Sequence, residues 1–510
     1  MNLRYFFYFF TLLLYVSTAL NSYGFDDEFF NIILIERYGM SAFSFTQTMS
    51  VHPPLPYLIN AFLYEVFDSW AAVRVVSALA LCAALFYVGE CMSKRYGHRA
   101  ATLTFLLLAS NPALLLWGTS IRWYAYFLPV FLWLCITPNR QGVLYWAKLS
   151  FGIIILGYTG YIAFLIVPAM ILLYWLESGQ CFESKLKYLI ASLIFALTIY
   201  LPQLLIFLTV HLPNGGTQIS SIFNSFAGVF ITQFSNQGVF PISIPGLLGA
   251  IGFMLVMTVA LISQPISIIR QDSKFISYAL FVVLAVVSGI SGKFRNLIFA
   301  SPLQAIWLGS VKIKPRAKRA WIIGLCLVFV SNFWGLSNVY FHKNTTKNSW
   351  NIPIAELLTH LSNEVVACDG STIFFTHDPT ISYYVDRTYI NSVGPYMTSF
   401  TGLQDRYRCG FIIKTFQGSI PDDMYSDMML SIESLGYSSR AIHYLNEDKF
   451  YTFKNRLNSL YPRYVITITK FEDLDNVTAM ESWQGVVEPR MYNIGRGAVP
   501  ASNPTISKLD

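Results

Sequence analysis

Charged residues are scarce in this sequence. Of its 510 residues only 12% are charged, whereas 54% are hydrophobic and 16% are aromatic. Soluble globular domains carry roughly 25% charged residues. This composition excludes a soluble protein of ordinary make-up and indicates a polytopic membrane protein.

Two kinds of motif are also missing. The seven cysteines include no Cys-x-x-Cys pair, so no zinc-binding spacing is present. The C-terminal part contains no glycine-rich phosphate-binding fingerprint, since Gly370 stands alone. The net charge of +7 belongs to the hydrophobic part and reflects its topology. It therefore gives no reason to expect a nucleic acid as partner.

Apolar runs long enough to cross roughly 30 Å of hydrocarbon recur along the first two thirds of the chain. We predict a polytopic α-helical membrane protein with about 11 transmembrane helices. The segments are 3–20, 70–91, 100–117, 121–137, 143–157, 160–176, 188–210, 243–263, 275–290, 297–310 and 321–341.

Loop charges predict the orientation, because Lys and Arg are retained on the cytoplasmic side. With the N-terminus inside, thirteen of them fall in cytoplasmic connections: Lys94, Arg95, Arg99, Arg140, Lys185, Lys187, Arg270, Lys274, Lys312, Lys314, Arg316, Lys318 and Arg319. Loop 21–69 and everything after residue 342 then lie outside the cytoplasm. We expect a bacterial inner membrane with a periplasmic C-terminal domain, or the ER membrane in a eukaryote. The first segment also fits a cleaved signal peptide.

Composition changes after residue 341. Residues 342–510 hold fifteen Lys or Arg and eighteen Asp or Glu, against twenty and ten in residues 1–341. Strand-like runs at 372–376, 411–416 and 464–469 alternate with helical patterns at 353–366, 421–435 and 447–460. This alternation predicts a small soluble α/β domain with a mostly parallel sheet, separate from the membrane domain. Cys368 and Cys409 could form a disulfide there if the compartment is oxidising.

Three adjacent carboxylates, Asp26, Asp27 and Glu28, directly follow the first apolar segment. Six of the ten acidic residues before position 342 fall in loop 21–69. Charges at the edge of a membrane span usually line a wet cavity, bind a cation or move protons. This pattern suits a general base or a ligand for a divalent cation. A merely solvated acidic loop is the alternative.

Further polar residues are predicted on the same side of the membrane. His52 opens the segment His-Pro-Pro-Leu-Pro-Tyr, and it could bind phosphate, support a carboxylate or hydrogen-bond to the turn. Arg122, in Arg-Trp-Tyr, could anchor the chain to headgroups or bind a lipid phosphate. Lys293 and Arg295 are candidates for the same phosphate, with interfacial anchoring as the alternative.

In order along the chain, these motifs resemble those of the GT-C-fold, polyprenyl-phosphate-dependent membrane glycosyltransferases. Within that family, the motifs resemble the branch that contains the protein mannosyltransferases and the lipid A aminoarabinose transferase. The matching residues, which span roughly residues 20 to 310, are Asp27-Glu28, the segment from His52 to Tyr57, Arg74, Arg122-Trp123-Tyr124, and Phe294-Arg295-Asn296 ahead of Pro302. Asn296 departs from the family pattern, which has Tyr there.

The resemblance implies transfer of a hexosyl or pentosyl group from a polyprenyl-phosphate donor to a lipid, glycan or protein acceptor on the extracytoplasmic face, with inversion. Asp27 would be the catalytic carboxylate, and Glu28 would support it or join it in holding Mg²⁺ or Mn²⁺. The implied substrate-binding residues are His52, Tyr57, Arg74, Arg122, Tyr124, Lys293 and Arg295. The alternatives are a transporter or flippase of lipid-linked glycans, and a polysaccharide polymerase or ligase.

Overall fold

The structure is a computed structural model. It describes residues 3–24, 26–42, 53–136, 140–206, 208–209, 244–265, 272–287, 298–341, 354–366, 372–376, 381–385, 392–393, 409–415, 422–434, 437–445 and 465–473.

Before residue 342, the regular structure of the described residues is helical. Its helices are α1 Leu3–Asn21, α2 Asp26–Tyr38, α3 Leu55–Phe67, α4 Trp70–Tyr96, α5 His98–Ala109, α6 Pro112–Gly118, α7 Trp123–Cys135, α8 Val143–Thr159, α9 Ala163–Glu177, α10 Phe182–Ile206, α11 Ile244–Ser263, α12 Ser273–Val287, α13 Ala300–Ser310 and α14 Lys318–Tyr340. Short 3₁₀ turns stand at Gly39–Ser41 and Pro315–Ala317.

Every predicted apolar segment overlaps described helices, with 100–117 divided between α5 and α6, and the chain is a multi-pass membrane protein. Among the described residues, four helices are long and apolar enough to cross a membrane: α4, α10, α11 and α14, the last counted together with the 3₁₀ turn before it. Helices α5 and α6 qualify as one span that is bent by 61°. Five of the other helices are apolar but only 10–17 residues long, so the count of eleven spans stays a prediction.

Local sequence explains where several helices begin. The hydroxyl of Ser69 accepts from the amide of Ala72 and caps α4. The side chain of Asn111 caps α6 in the same way, and Pro112 occupies its first position, where no amide hydrogen is needed. Pro56 stands in the first turn of α3 for the same reason.

Helices α11 and α14 approach each other through two glycines. A Cβ added at Gly252 would lie 2.7 Å from the carbonyl oxygen of Gly324, and one added at Gly324 would lie 2.9 Å from that of Gly252. Small residues let membrane helices pack backbone against backbone, where side-chain burial from water contributes little. This pair therefore fixes the contact between the two spans.

One buried carboxylate joins three helices at the C-terminal end of α4. Glu177, the last residue of α9, lies 2.9 Å from Lys274 Nζ and 3.0 Å from Arg95 Nη1, and Arg140 Nε lies 3.8 Å away. The hydroxyl of Ser273 also donates to it, at 2.9 Å. Three cations that the loop analysis assigns to one side of the membrane therefore meet at one carboxylate.

The C-terminal part forms a five-stranded sheet with the order β2-β1-β3-β5-β4. Its elements are helix α15 Ile354–Val366, strands β1 Thr372–Thr376, β2 Ser392–Val393 and β3 Cys409–Thr415, helix α16 Asp422–Ser434, and strands β4 Tyr437–Leu445 and β5 Val465–Asp473. Helix α15 and a helical turn at 381–385 contribute to its apolar core.

The pairing of these strands corrects the expectation of a mostly parallel sheet. Strand β1 pairs with β2 and β3 in parallel, whereas β5 pairs with β3 and β4 antiparallel. Strand β4 follows α16 directly and pairs with β5. The sequence pattern did not predict strand β4. The helix predicted at 447–460 lies outside the described residues. Cys409 is disulfide-bonded, and Cys368 lies outside the described residues.

Candidate active site around the acidic helix

Helix α2, called here the acidic helix, begins at Asp26 with the three carboxylates in its first turn. Acidic side chains are favoured there because the helix dipole places partial positive charge at the N-terminus. The backbone of Asp27 belongs to this turn, but its side chain is not among the parts that the structure describes. Glu28 is fully buried.

Glu28 forms an ion pair with Arg74 of α4. Arg74 Nε donates to Oε1 at 3.5 Å and Nη2 donates to Oε2 at 3.4 Å, while Nη1 donates to the carbonyl of Ser22 at 3.2 Å. The two charged side chains are only 0% and 4% exposed. A buried charge is tolerated when it is paired and hydrogen-bonded, and both conditions hold here.

Gly24 permits this arrangement just ahead of the acidic helix. Its φ of +83° is strained for any other L-residue, and an added Cβ would stand 2.6 Å from Arg74 Nη2 and 2.9 Å from Glu28 Oε2. The close approach of backbone to ion pair therefore requires glycine.

The acidic helix binds both backbone polar groups of Ile121, the residue just before the Arg-Trp-Tyr motif. Oε1 of Glu28 accepts a short hydrogen bond from the amide of Ile121. Nδ2 of Asn31 donates to the carbonyl oxygen of Ile121 at 2.8 Å. Arg122 is the next residue; it is 6% exposed and has an extended backbone at the start of α7. Two motifs some ninety positions apart are therefore joined through one residue, since the two bonds span 93 and 90 positions.

Tyr57 and Tyr124 lie in two different apolar clusters. Tyr57 is 3% exposed and packs with Phe29 and Ile121 in the cluster that surrounds the acidic helix. Tyr124 is 2% exposed, and its ring stacks on Trp123 with centroids 3.9 Å apart inside the main membrane core. The structure thus brings Glu28, Arg74, Tyr57 and the Arg122 backbone together, and places the ring of Tyr124 in the core.

The other predicted site residues, His52, Lys293 and Arg295, lie outside the described residues. The same holds for the uncharged connection 211–241, which the resemblance relates to a cover over the donor cavity. Their roles stay predictions.

Sequence reasoning missed Asn31 and Gly24. Asn31 stands three positions after Glu28, so the two side chains share one face of the acidic helix. That spacing was a usable signal. No sequence pattern marks Ile121, whose backbone groups are what the helix binds.

The described residues of the site do not form a cluster of ligands for a divalent cation. Within the described ranges no three His, Cys, Asp or Glu side chains are grouped as metal ligands. Glu28 faces the guanidinium of Arg74, which already supplies the positive charge that a cation would bring. Glu28 therefore suits a positioning role better than metal binding, and a cation held by Asp27 stays a prediction.

No model of a known protein family and no curated protein sequence matches this chain. Solved structures do. ArnT from Cupriavidus metallidurans in the apo state has a TM-score of 0.50 and 12% identity, covering 91% of this chain and 97% of that one. The same protein bound to undecaprenyl phosphate has a TM-score of 0.48 and 12% identity, with coverages of 90% and 96%. The apo comparison shows that the chain has the GT-C-like fold of ArnT, which confirms the fold expected from the motifs.

Proposed function

We propose that this chain, which has the fold of ArnT, is a membrane glycosyltransferase that takes a hexosyl or pentosyl group from a polyprenyl-phosphate donor. The acceptor is a lipid, glycan or protein on the extracytoplasmic face. The proposal includes about eleven spans in residues 1–341, and a domain formed by residues 342–510 on the same face as the acidic helix. A bacterial inner membrane is the proposed location.

One observation carries this proposal: the acidic helix is bonded to the residue that precedes Arg122. Transfer from a phosphate-linked donor needs a base for the acceptor and a cation for the departing phosphate, held at a fixed separation. The backbone of Ile121 provides that fixed link between the helix turn that contains Asp27 and Arg122. Arg74 is not assigned this role, because its charge is paired with that of Glu28.

The proposed reaction is a single displacement. The carboxylate of Asp27 accepts the proton of the acceptor's hydroxyl or amine, which attacks the anomeric carbon of the sugar. The bond between that carbon and the phosphate oxygen breaks, and its electrons leave with the polyprenyl phosphate. The guanidinium of Arg122 stabilises the phosphate, with Lys293 or Arg295 as a second contact. One displacement inverts the anomeric configuration.

Replacement of Asp27 by Asn tests the assignment. The purified protein is incubated with a panel of polyprenyl-phosphate sugars, and loss of donor is followed. We expect donor loss with the native protein and a fall of at least about 100-fold with Asp27→Asn, the usual size of a general-base contribution. Glu65→Gln, at an exposed position of α3, is the control and should retain activity.

Full activity of Asp27→Asn would reject Asp27 as the base. If no donor in the panel is consumed but the donor crosses the bilayer of vesicles that contain the protein, the chain is a flippase. That result would reject the transferase assignment.

A further inference from the structure

We infer that two tyrosines of the C-terminal part hold the acidic helix in place, so that the C-terminal part is a structural component of the candidate active site. The tyrosines are Tyr383 and Tyr384, in the helical turn 381–385, called here the tyrosine turn. The consequence for catalysis rests on the proposed function, whereas the contact itself does not.

The tyrosine turn has two faces. Ile381 and Val385, four positions apart, are 1% and 0% exposed and belong to the apolar core beneath the C-terminal sheet. Tyr383 points the other way, is 8% exposed and belongs to the apolar cluster around the acidic helix. The partly buried ring of Tyr384 packs against both clusters. The turn therefore connects the sheet to the acidic helix.

Its contacts cover the whole length of the acidic helix. The hydroxyl of Tyr384 donates to the carbonyl of Tyr23, just before the helix, at 2.7 Å. The ring of Tyr383 lies 4.8 Å from that of Phe29, which is fully buried in the first turn beside Glu28. The hydroxyl of Tyr383 donates to Oε1 of Glu36 in the last turn at 2.9 Å.

Glu36 binds both the tyrosine turn and helices of the membrane part. Its Oε1 also accepts from Trp70 Nε1 at 2.7 Å and, more weakly, from Tyr64 at 3.5 Å. Trp70 is one helical turn before Arg74, the partner of Glu28. The acidic helix is thus attached to α4 at both of its ends, and Tyr383 shares the attachment at the end away from Asp27.

These contacts make Tyr383 a positioning residue. Its hydroxyl binds the end of the acidic helix that does not carry Asp27, and its ring packs on Phe29, so it acts on the reaction through the helix. Loss of its hydroxyl should let the helix open more often without removing a group that touches the donor.

The test compares Tyr383→Phe with the native full-length chain in detergent by hydrogen–deuterium exchange. We expect the amides of Asp26–Tyr38 to exchange about fivefold faster, the factor for one ordinary hydrogen bond. Tyr437→Phe, at a 3% exposed position of β4, controls for loss of a buried phenol elsewhere in the C-terminal part and should leave these amides unchanged. Unchanged exchange in Tyr383→Phe would overturn the inference.

Two further variants separate the contact from general instability. Glu36→Gln keeps an oxygen that accepts from Tyr383 and Trp70, so it should exchange like the native protein. Glu36→Ala should speed exchange, and adding Tyr383→Phe to it should bring little further change, because contacting residues are not additive. Full additivity of the two changes would contradict the contact.

Kinetics on a donor that the native protein consumes complete the test. Tyr383→Phe should lower kcat by up to about fivefold, the factor for one hydrogen bond, and change the KM for the donor less, because Glu28 and Asn31 still bind Ile121 beside Arg122. Faster exchange with an unchanged kcat would overturn the positioning role. If the native protein consumes no donor, the proposed function fails, and the exchange data still decide whether the tyrosine turn holds the helix.

Discussion

The ion pair between Glu28 and Arg74 offers the sharpest test of how the acidic helix is held. Glu28→Gln keeps the side-chain shape and an oxygen for the amide of Ile121, but it leaves Arg74 buried without a counter-charge. At the 3.4 Å separation of the pair, the Coulomb attraction is about 5 kcal/mol for an effective dielectric constant of about 20. Removing one partner of a buried pair costs about 3–5 kcal/mol. Because the retained amide still accepts a hydrogen bond, we expect a loss of about 3 kcal/mol.

The double variant Glu28→Gln/Arg74→Gln isolates the charge term. It removes both charges and leaves two polar amides, so no uncompensated charge stays buried. Thermal unfolding of the purified protein in detergent, followed by tryptophan fluorescence, should therefore give a midpoint above that of Glu28→Gln and below that of the native protein. The exposed Glu65→Gln should unfold like the native protein.

A double variant that unfolds at or below the midpoint of Glu28→Gln would refute this reasoning. The stability of the site would then depend on hydrogen bonds that only Arg74 makes, such as the one to the carbonyl of Ser22, and the paired charge would be secondary. A native-like midpoint for Glu28→Gln would show that Arg74 finds another partner or water, and would refute the burial argument directly.

Two other substitutions test neighbouring parts of the structure. Asn31→Ala removes the donor to the carbonyl of Ile121, which should cost about 1 kcal/mol of stability. In the proposed reaction it should raise the KM for the donor, because Arg122 is less firmly placed; an unchanged KM would contradict that link. Glu177→Gln leaves Arg95 and Lys274 without their carboxylate and should cost about 3 kcal/mol, measured as a lower midpoint of thermal unfolding. Glu183→Gln, at an exposed position of α10, is the matched control, and an equal effect there would refute the prediction.

The positions of the helices were predictable because membrane insertion depends on local composition. The run 70–91 and the run 321–341 coincide with helices α4 and α14. The acidic cluster was also found in the sequence, since three charges beside an apolar segment contrast with their surroundings. The number of spans was harder to predict from the sequence. Apolar helices of 10–17 residues are shorter than the hydrocarbon thickness, so whether they cross the membrane depends on the helices packed around them.

The direction of the C-terminal strands was predicted only in part. Alternating strand and helix patterns suggested parallel pairing, which holds for β1 with β2 and β3. Strand β5 runs antiparallel to both of its neighbours, because β4 and β5 add to the sheet as an antiparallel pair beside β3. An apolar strand pattern fixes which residues are buried, but it does not fix the direction of the neighbouring strand.

The sequence by itself determined that this is a multi-pass membrane protein with an unusual group of carboxylates beside its first helix. Those features depend on composition and on neighbours along the chain. Only the tertiary structure decided that Glu28 is paired with Arg74. The same holds for the hydrogen bonds of Glu28 and Asn31 to the backbone of Ile121, and for the bond from Tyr383 to Glu36 across 347 positions. Such contacts depend on how helices dock, and two of them end on backbone groups that every residue carries. The spacing of Glu28 and Asn31 can place them on one helix face, but the sequence does not predict which groups they bind.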